Sequence, residues 1–197
     1  MGRHREFDPD KALEAALSVF WQKGYEGASF DDLTRATGVA RPGLYAAFGN
    51  KEALFYKALD RYENTYNAFM SEALDEPTAF AVVERLLRDT ARLHTLYPAH
   101  TGCMGLNGAL ACSDDAEPIR KDLAARRAAS QRALHERLEQ ARAEGDLPAS
   151  TDCEALAAFV MAVTQGMAVQ AKGGANRQIL DRVADQVLAS WPKDAKA

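Results

Sequence analysis

Arg3, Arg5, Arg41 and Lys51 are the cations of this sequence that could meet a polyanion, provided that they share one face. Lys51 follows Asn50, whose side chain suits a helix cap, so its ammonium falls beside the free N–H groups of a helix N-terminus. Such a place favours anions. The lysine reads either as a phosphate contact or as a solvated surface cation. Bulk charge gives no help in choosing. Residues 1–51 hold seven Lys or Arg and seven Asp or Glu, so the net charge of −4 lies entirely in residues 52–197. Phosphate contact is local, because screening limits distant charges to about 10 Å in moderate salt, and the placement of individual cations decides.

Other chemistry finds little purchase. No GxSxG, P-loop or HExxH occurs, and the four histidines, His4, His94, His100 and His135, are scattered without metal-ligand spacing. No metal site, cofactor or catalytic group is expected. Three cysteines, Cys103, Cys112 and Cys153, form no CxxC pair. Cys103 and Cys112 stand nine apart, on opposite sides of any continuous helix, and read as reduced thiols.

The elements that would position Arg41 and Lys51 lie in residues 29–51, SFDDLTRATGVARPGLYAAFGNK. Ser29 caps a helix, with Asp31 and Asp32 suiting the positive end of its dipole and Phe30, Leu33 and Ala36 giving it an apolar side. Gly38 can take the left-handed conformation that ends it. A second helix starts at Arg41 and Pro42, where proline is tolerated. Leu44 and Phe48, four apart, turn inward and leave Arg41, Gly43, Tyr45, Ala46 and Ala47 outward. Two short helices around a glycine turn read as a helix-turn-helix whose small outer surface fits a major groove, or as two plain connecting helices of an all-α domain.

The order Gly38-Val39, Leu44-Tyr45, Phe48, Lys51 and Leu54, preceded by Phe20, Gly24, Tyr25 and Ser29, resembles the N-terminal domain of the TetR family of bacterial regulators over roughly residues 8–60. The resemblance implies a homodimeric, ligand-responsive transcriptional regulator, a repressor released from a near-palindromic double-stranded DNA operator by a small molecule. It implies a DNA-binding domain at 1–51 and a ligand-binding and dimerisation domain at 52–197. Ser29 opens the DNA-reading unit. Base contact falls to Arg41, Pro42 and Gly43, Tyr45 stands at the aromatic position that meets phosphate or base, Ala46 faces the groove, and Lys51 clamps the backbone. Two departures from the family pattern are Ala40, where a hydroxyl cap is common, and the small Ala46 and Ala47. Direct readout therefore leans on Arg41, whose fork suits O6 and N7 of guanine.

The rest of the chain reads as helix throughout, without strand patterns or repeats. Asp8-Pro9-Asp10 opens a helix that Gly24 stops. Lys51 begins a long helix expected to run past Met70 to the break at Asp75-Glu76-Pro77. Thr78 to Tyr97 forms another, with His94 a core or boundary histidine. The segment 101–111, TGCMGLNGALA, carries three glycines and reads either as a packed short helix with Asn107 capping a backbone group or as a movable pocket wall. A charged helix follows from Ser113, its basic run interleaved with acids as a solvated face. Thr151 and Glu154 read as a capping box for the most apolar helix. Effector-lining candidates are Tyr66, Phe69, Met104, Asn107 and Gln165. Phe159, Val163, Met167, Val183, Val187 and Trp191 of the last two helices are the expected dimer face. No apolar run approaches the roughly 20 residues that cross a bilayer and no secretory h-region occurs, so a cytoplasmic protein without membrane contact is expected. A thiol switch at Cys103, and a helical interaction protein or enzyme that never binds DNA, are the alternative readings.

Overall fold

Capping chemistry and apolar stripes settle where the helices lie. The computed structural model describes residues 7–107 and 113–192, and among these no strand occurs. The helices are α1 (Pro9–Gly27), α2 (Phe30–Thr37), α3 (Arg41–Phe48), α4 (Lys51–Thr65), α5 (Phe69–Glu72), α6 (Ala79–Leu96), α7 (Met104–Asn107), α8 (Glu117–Ala143), α9 (Cys153–Lys172) and α10 (Arg177–Ala189). They gather into two compact units, Met1–Tyr66 with Met104–Leu123, and Asn67–Cys103 with Ala124–Ala197. This grouping does not coincide with the expected division after residue 51, because α4 packs on α1. Arg3, Arg5, Cys112 and the end of the glycine-rich segment lie outside the described residues.

The first unit is built on α1. Asp8 accepts from the N–H groups of Asp10 and Lys11, and Pro9 takes the first turn, as the sequence implies. Gly24 interrupts the helix at φ 72° and ψ 179°, which only glycine adopts readily, and one further turn follows. Ala16, Leu17, Phe20 and Trp21 bury the inner face of α1, and Leu54, Phe55, Ala58, Leu59 and Tyr62 bury that of α4. Phe20 meets Phe55 edge-on at 5.2 Å and Trp21 meets Tyr62 at 4.8 Å. Such pairs contribute about 0.5–1.5 kcal/mol each beyond area burial. Arg61 ties α4 to the start of α1, donating to the Asp10 carbonyl at 3.0 Å and to its carboxylate at 2.6 Å.

The fourth helix is shorter than its apolar spacing suggests. It ends at Thr65, not past Met70, and α5 is a separate single turn. Asn64, Thr65, Tyr66 and Asn67 are all poor helix formers, and the Asn64 amide turns back to the Asp60 carbonyl at 2.8 Å. Tyr66 is used within the first unit: it meets Trp21 edge-on, stacks with Tyr62 and donates its hydroxyl to Glu14.

The segment from Met104 also belongs to this unit. Asn107 donates its side-chain amide to the Trp21 carbonyl at 2.9 Å, and Ser113 donates to Glu26 at 2.8 Å. Gly24 breaks the ladder in which the Trp21 carbonyl would be used, so the amide supplies a donor there. Asn107 thus caps a backbone carbonyl, as one of the two readings of this segment has it.

In the second unit α6 packs against α9 and α10. Val82, Val83, Leu86, Leu87 and Ala91 meet a core that includes Ala157, Val160, Leu180, Ala184 and Leu188, with Leu134, Leu138 and Ala141 of α8. The capping box expected at Thr151 is displaced by one residue. Asp152 is the cap, accepting from Ala155 N–H at 3.0 Å, because its carboxylate reaches the third helical amide once the helix starts at Cys153. By length and composition α9 could cross a bilayer, contrary to the sequence expectation. One side of it lies in this core, where Ala157, Val160, Met167 and Ala171 are buried. Phe80 is 39% exposed and meets the edge of Trp191 at 5.9 Å.

Candidate nucleic-acid interface

The turn between α2 and α3 forms as its residues dictate. Ser29 accepts from Asp32 N–H at 3.0 Å while Asp32 accepts from Ser29 N–H at 3.1 Å, a reciprocal cap. The Ser29 hydroxyl also donates to Asp32, so it is committed to holding α2. Lys23, at 2.6 Å, and Ser29 together hold the Asp32 carboxyl far below the usual carboxylate range. Gly38 closes α2 at φ 68°, and its N–H donates to the Thr34 carbonyl. Ala40 opens α3 without a side-chain cap, as its methyl requires.

Arg41, Pro42, Tyr45 and Ala46 are exposed along α3, while Leu44 and Phe48 are buried. The inward and outward faces therefore match the sequence reading. Gly43 has a packing reason as well as a groove-facing one. A Cβ there would stand 2.9 Å from Val39 Cγ1 and 3.8 Å from the Phe7 ring, so Phe7 brings the chain into α1 beside the first turn of α3.

Arg41 is not a loose cation. Its guanidinium lies 4.0 Å from the centroid of the Phe30 ring, and its Nε and Nη2 donate to the Tyr45 hydroxyl at 3.3 and 3.0 Å. Lys51 is similarly held. Its ammonium lies 4.5 Å from the Tyr25 centroid, and partial burial pushes its pKa down against the opposing pull of Glu26. Phe30 and Tyr25 thus act on the two key cations. Sequence reading gave neither of them this role: Arg41 and Tyr45 stand four apart on one helix, but Phe30 reaches Arg41 from α2 and Tyr25 reaches Lys51 from α1.

The effector candidates are divided between the two units. Tyr66, Met104 and Asn107 belong to the first unit, Phe69 and Gln165 to the second. Phe69 and Met104 are buried, and Gln165 is half-buried on α9. Of the expected dimer face, Met167 of α9, Val187 of α10 and Trp191, which follows α10, are buried in the core of their own unit. Phe159 is 47% exposed, Val163 and Val183 are partly so, and Val169 and Ile179, outside the expected dimer face, are 51% and 46% exposed.

A capped helix-turn-helix presenting held cations, followed by an all-helical C-terminal part, is the architecture of a bacterial DNA-binding transcriptional regulator. Residues 12–58 match the family described as bacterial regulatory proteins, tetR family, and residues 80–187 match the tetracyclin repressor-like C-terminal domain. The chain belongs to the TetR family, whose members are transcriptional regulators and not enzymes. It is 36% identical to the HTH-type transcriptional repressor ComR of Escherichia coli (strain K12), over 99% of this chain and 94% of that protein. The HTH-type transcriptional repressor BdcR of the same organism is 38% identical over 54% of this chain and 55% of its own length. A cysteine-substituted form of the TetR family transcriptional regulator CifR, solved with 26-bp double-strand operator DNA, is 42% identical with a TM-score of 0.90, covering 96% of this chain and all of that one.

Proposed function

We propose that the protein is a homodimeric repressor of a near-palindromic operator, released by a small molecule, with residues 1–51 reading DNA and residues 52–197 carrying the effector and dimer functions. The observation that carries this reading is the pair of held cations, Arg41 and Lys51, on the helix-turn-helix. The operator-bound state of the similar CifR supports it. Arg41 supplies the base contact, Lys51 and Tyr45 contact the backbone, and Pro42, Gly43 and Ala46 allow α3 close to the groove floor. Ser29 acts through the cap it gives α2.

Dimerisation is part of the DNA-binding claim. The first 51 residues are electrically neutral, so one head binds weakly, and two linked heads multiply modest affinities. Phe159, Val169 and Ile179, with Val163 and Val183, offer the apolar surface for pairing α9 and α10 with a second copy. Half-sites then lie about one helical turn apart or somewhat more. The effector acts through its differential affinity for the DNA-competent and DNA-incompetent states. A protein with these partners works in the cytoplasm.

The test is a salt-dependent shift assay on the DNA flanking the protein's own gene. Wild-type protein should bind with an affinity that falls steeply as salt rises, and Arg41→Ala should cost about 1–3 kcal/mol and relax preference at one base pair per half-site. Equal loss on every sequence would move Arg41 to the phosphate contacts. A second reading, thiol control, is favoured by Cys103 being a free, partly exposed cysteine. Operator binding unchanged by oxidant removes it.

A further inference from the structure

We infer that Phe30 and Tyr45 clamp the Arg41 guanidinium so that one particular edge of it reads DNA, which makes Phe30 a specificity-positioning residue; the inference rests on the base-contact reading of Arg41. A guanidinium has a side edge, formed by Nε and Nη2, and an end edge, formed by Nη1 and Nη2. The side edge is taken, because both Nε and Nη2 donate to the Tyr45 hydroxyl. The end edge is left to present two parallel N–H groups, the geometry that matches O6 and N7 of guanine.

The flat face of the guanidinium is fixed by the second contact. The Phe30 centroid is 4.0 Å from Arg41 Cζ, and the Tyr45 ring stands 5.3 Å from the Phe30 ring at a 40° tilt, so the three groups form one contact cluster around the guanidinium. Phe30 is the first residue of α2, held in place by the reciprocal cap of Ser29 and Asp32. The chain thus spends a capping box on the position of a ring, and the ring on the aim of a cation. The Tyr45 hydroxyl, accepting from Arg41, keeps its own proton to donate to a phosphate oxygen, which couples register to readout. Ala46 and Gly43 offer no competing side-chain donor, so discrimination at this step depends on Arg41 being held. An unclamped arginine would lose rotamer freedom on binding, a cost the contacts with Phe30 and Tyr45 have already met in the free protein.

The experiment uses full-length protein and a duplex selected by the wild type from a randomised library, with each base pair of one half-site replaced in turn. Phe30→Leu, which keeps apolar volume and removes the π face, should lower discrimination at the base pair read by Arg41 by about three- to tenfold. Binding to unrelated duplex and the salt slope should be unchanged, and Phe30→Tyr should restore discrimination. Thermal unfolding of each variant monitors folding, and Phe30→Tyr tests the same point in a protein that keeps its ring. If Arg41→Ala removes discrimination at one base pair while Phe30→Leu leaves it within about twofold, the clamp is refuted and the reading of Arg41 stands. A uniform loss with Phe30→Leu across specific and unrelated duplexes also refutes it. If Arg41→Ala alters discrimination at no position, the base-contact reading falls and takes the clamp with it.

Discussion

Lowering the pH from about 7 to about 5 should destabilise the second unit through His94. This residue is 4% exposed on α6, its Nδ1 is buried without a hydrogen-bond partner, and its ring is bonded to the Gly102 backbone. Burial pushes its pKa from 6.5 down to about 4, against the smaller opposing effect of the Gly102 bond. The folded state therefore keeps the ring neutral where the unfolded chain would protonate it, so stability present above about pH 6.5 is lost as the pH falls towards about 4. The ratio of the two protonation equilibria gives a loss of about 2 kcal/mol at pH 5, approaching about 3 kcal/mol near pH 4. Carboxylates held low, such as Asp32 beside Lys23 and Glu117 beside Arg120, lose their contribution as the pH falls through and below their ordinary values of 3.8 and 4.5, so most of the window between about pH 7 and 5 belongs to the histidine. His94→Gln keeps an amide that can bond to Gly102 and removes the titration. Urea unfolding of Trp21→Phe forms of both proteins, in which Trp191 is the one remaining tryptophan, followed by far-UV circular dichroism and tryptophan emission, should show the protein with His94 losing about 2 kcal/mol relative to the variant between pH 7 and 5. Parallel stability curves across that interval would refute the assignment.

Three further outcomes follow from the geometry. Lys51→Ala should weaken binding to specific and unrelated duplexes alike and reduce the salt slope by about 1 per half-site, as a titration over several salt concentrations would record. Gly38→Ala should cost about 1–2 kcal/mol in thermal or urea unfolding, from its φ of 68° alone, since nothing lies within 4 Å of the added Cβ. Phe159→Asp should shift the assembly towards monomer by light scattering and, through that, lower operator affinity more than affinity for a single half-site.

What the sequence determined by itself is what local chemistry determines. Asp8, Ser29 and Asn50 each carry a short polar side chain that satisfies the orphan donors of the following turn, and all three helices start there. Gly38 ends α2 because no other residue adopts its backbone as cheaply. The alternation of Leu44 and Phe48 with Arg41 and Tyr45 fixed the two faces of α3, and the order of these motifs pointed to the family. Tertiary structure decided the rest. Apolar spacing continued from Leu54 to Met70, yet spacing cannot show that Asn64 would turn back on the chain and that Tyr66 would be used on α1. Met167, Val187 and Trp191 have the pattern of an interface, and a core and an interface bury the same kind of side chain, so only the packing of their own unit distinguishes them. The aim of Arg41 was beyond any one helix. Its partner Tyr45 lies one turn away in sequence, but the ring of Phe30 arrives from a different helix, and the cluster of three groups exists only once α2 and α3 have docked.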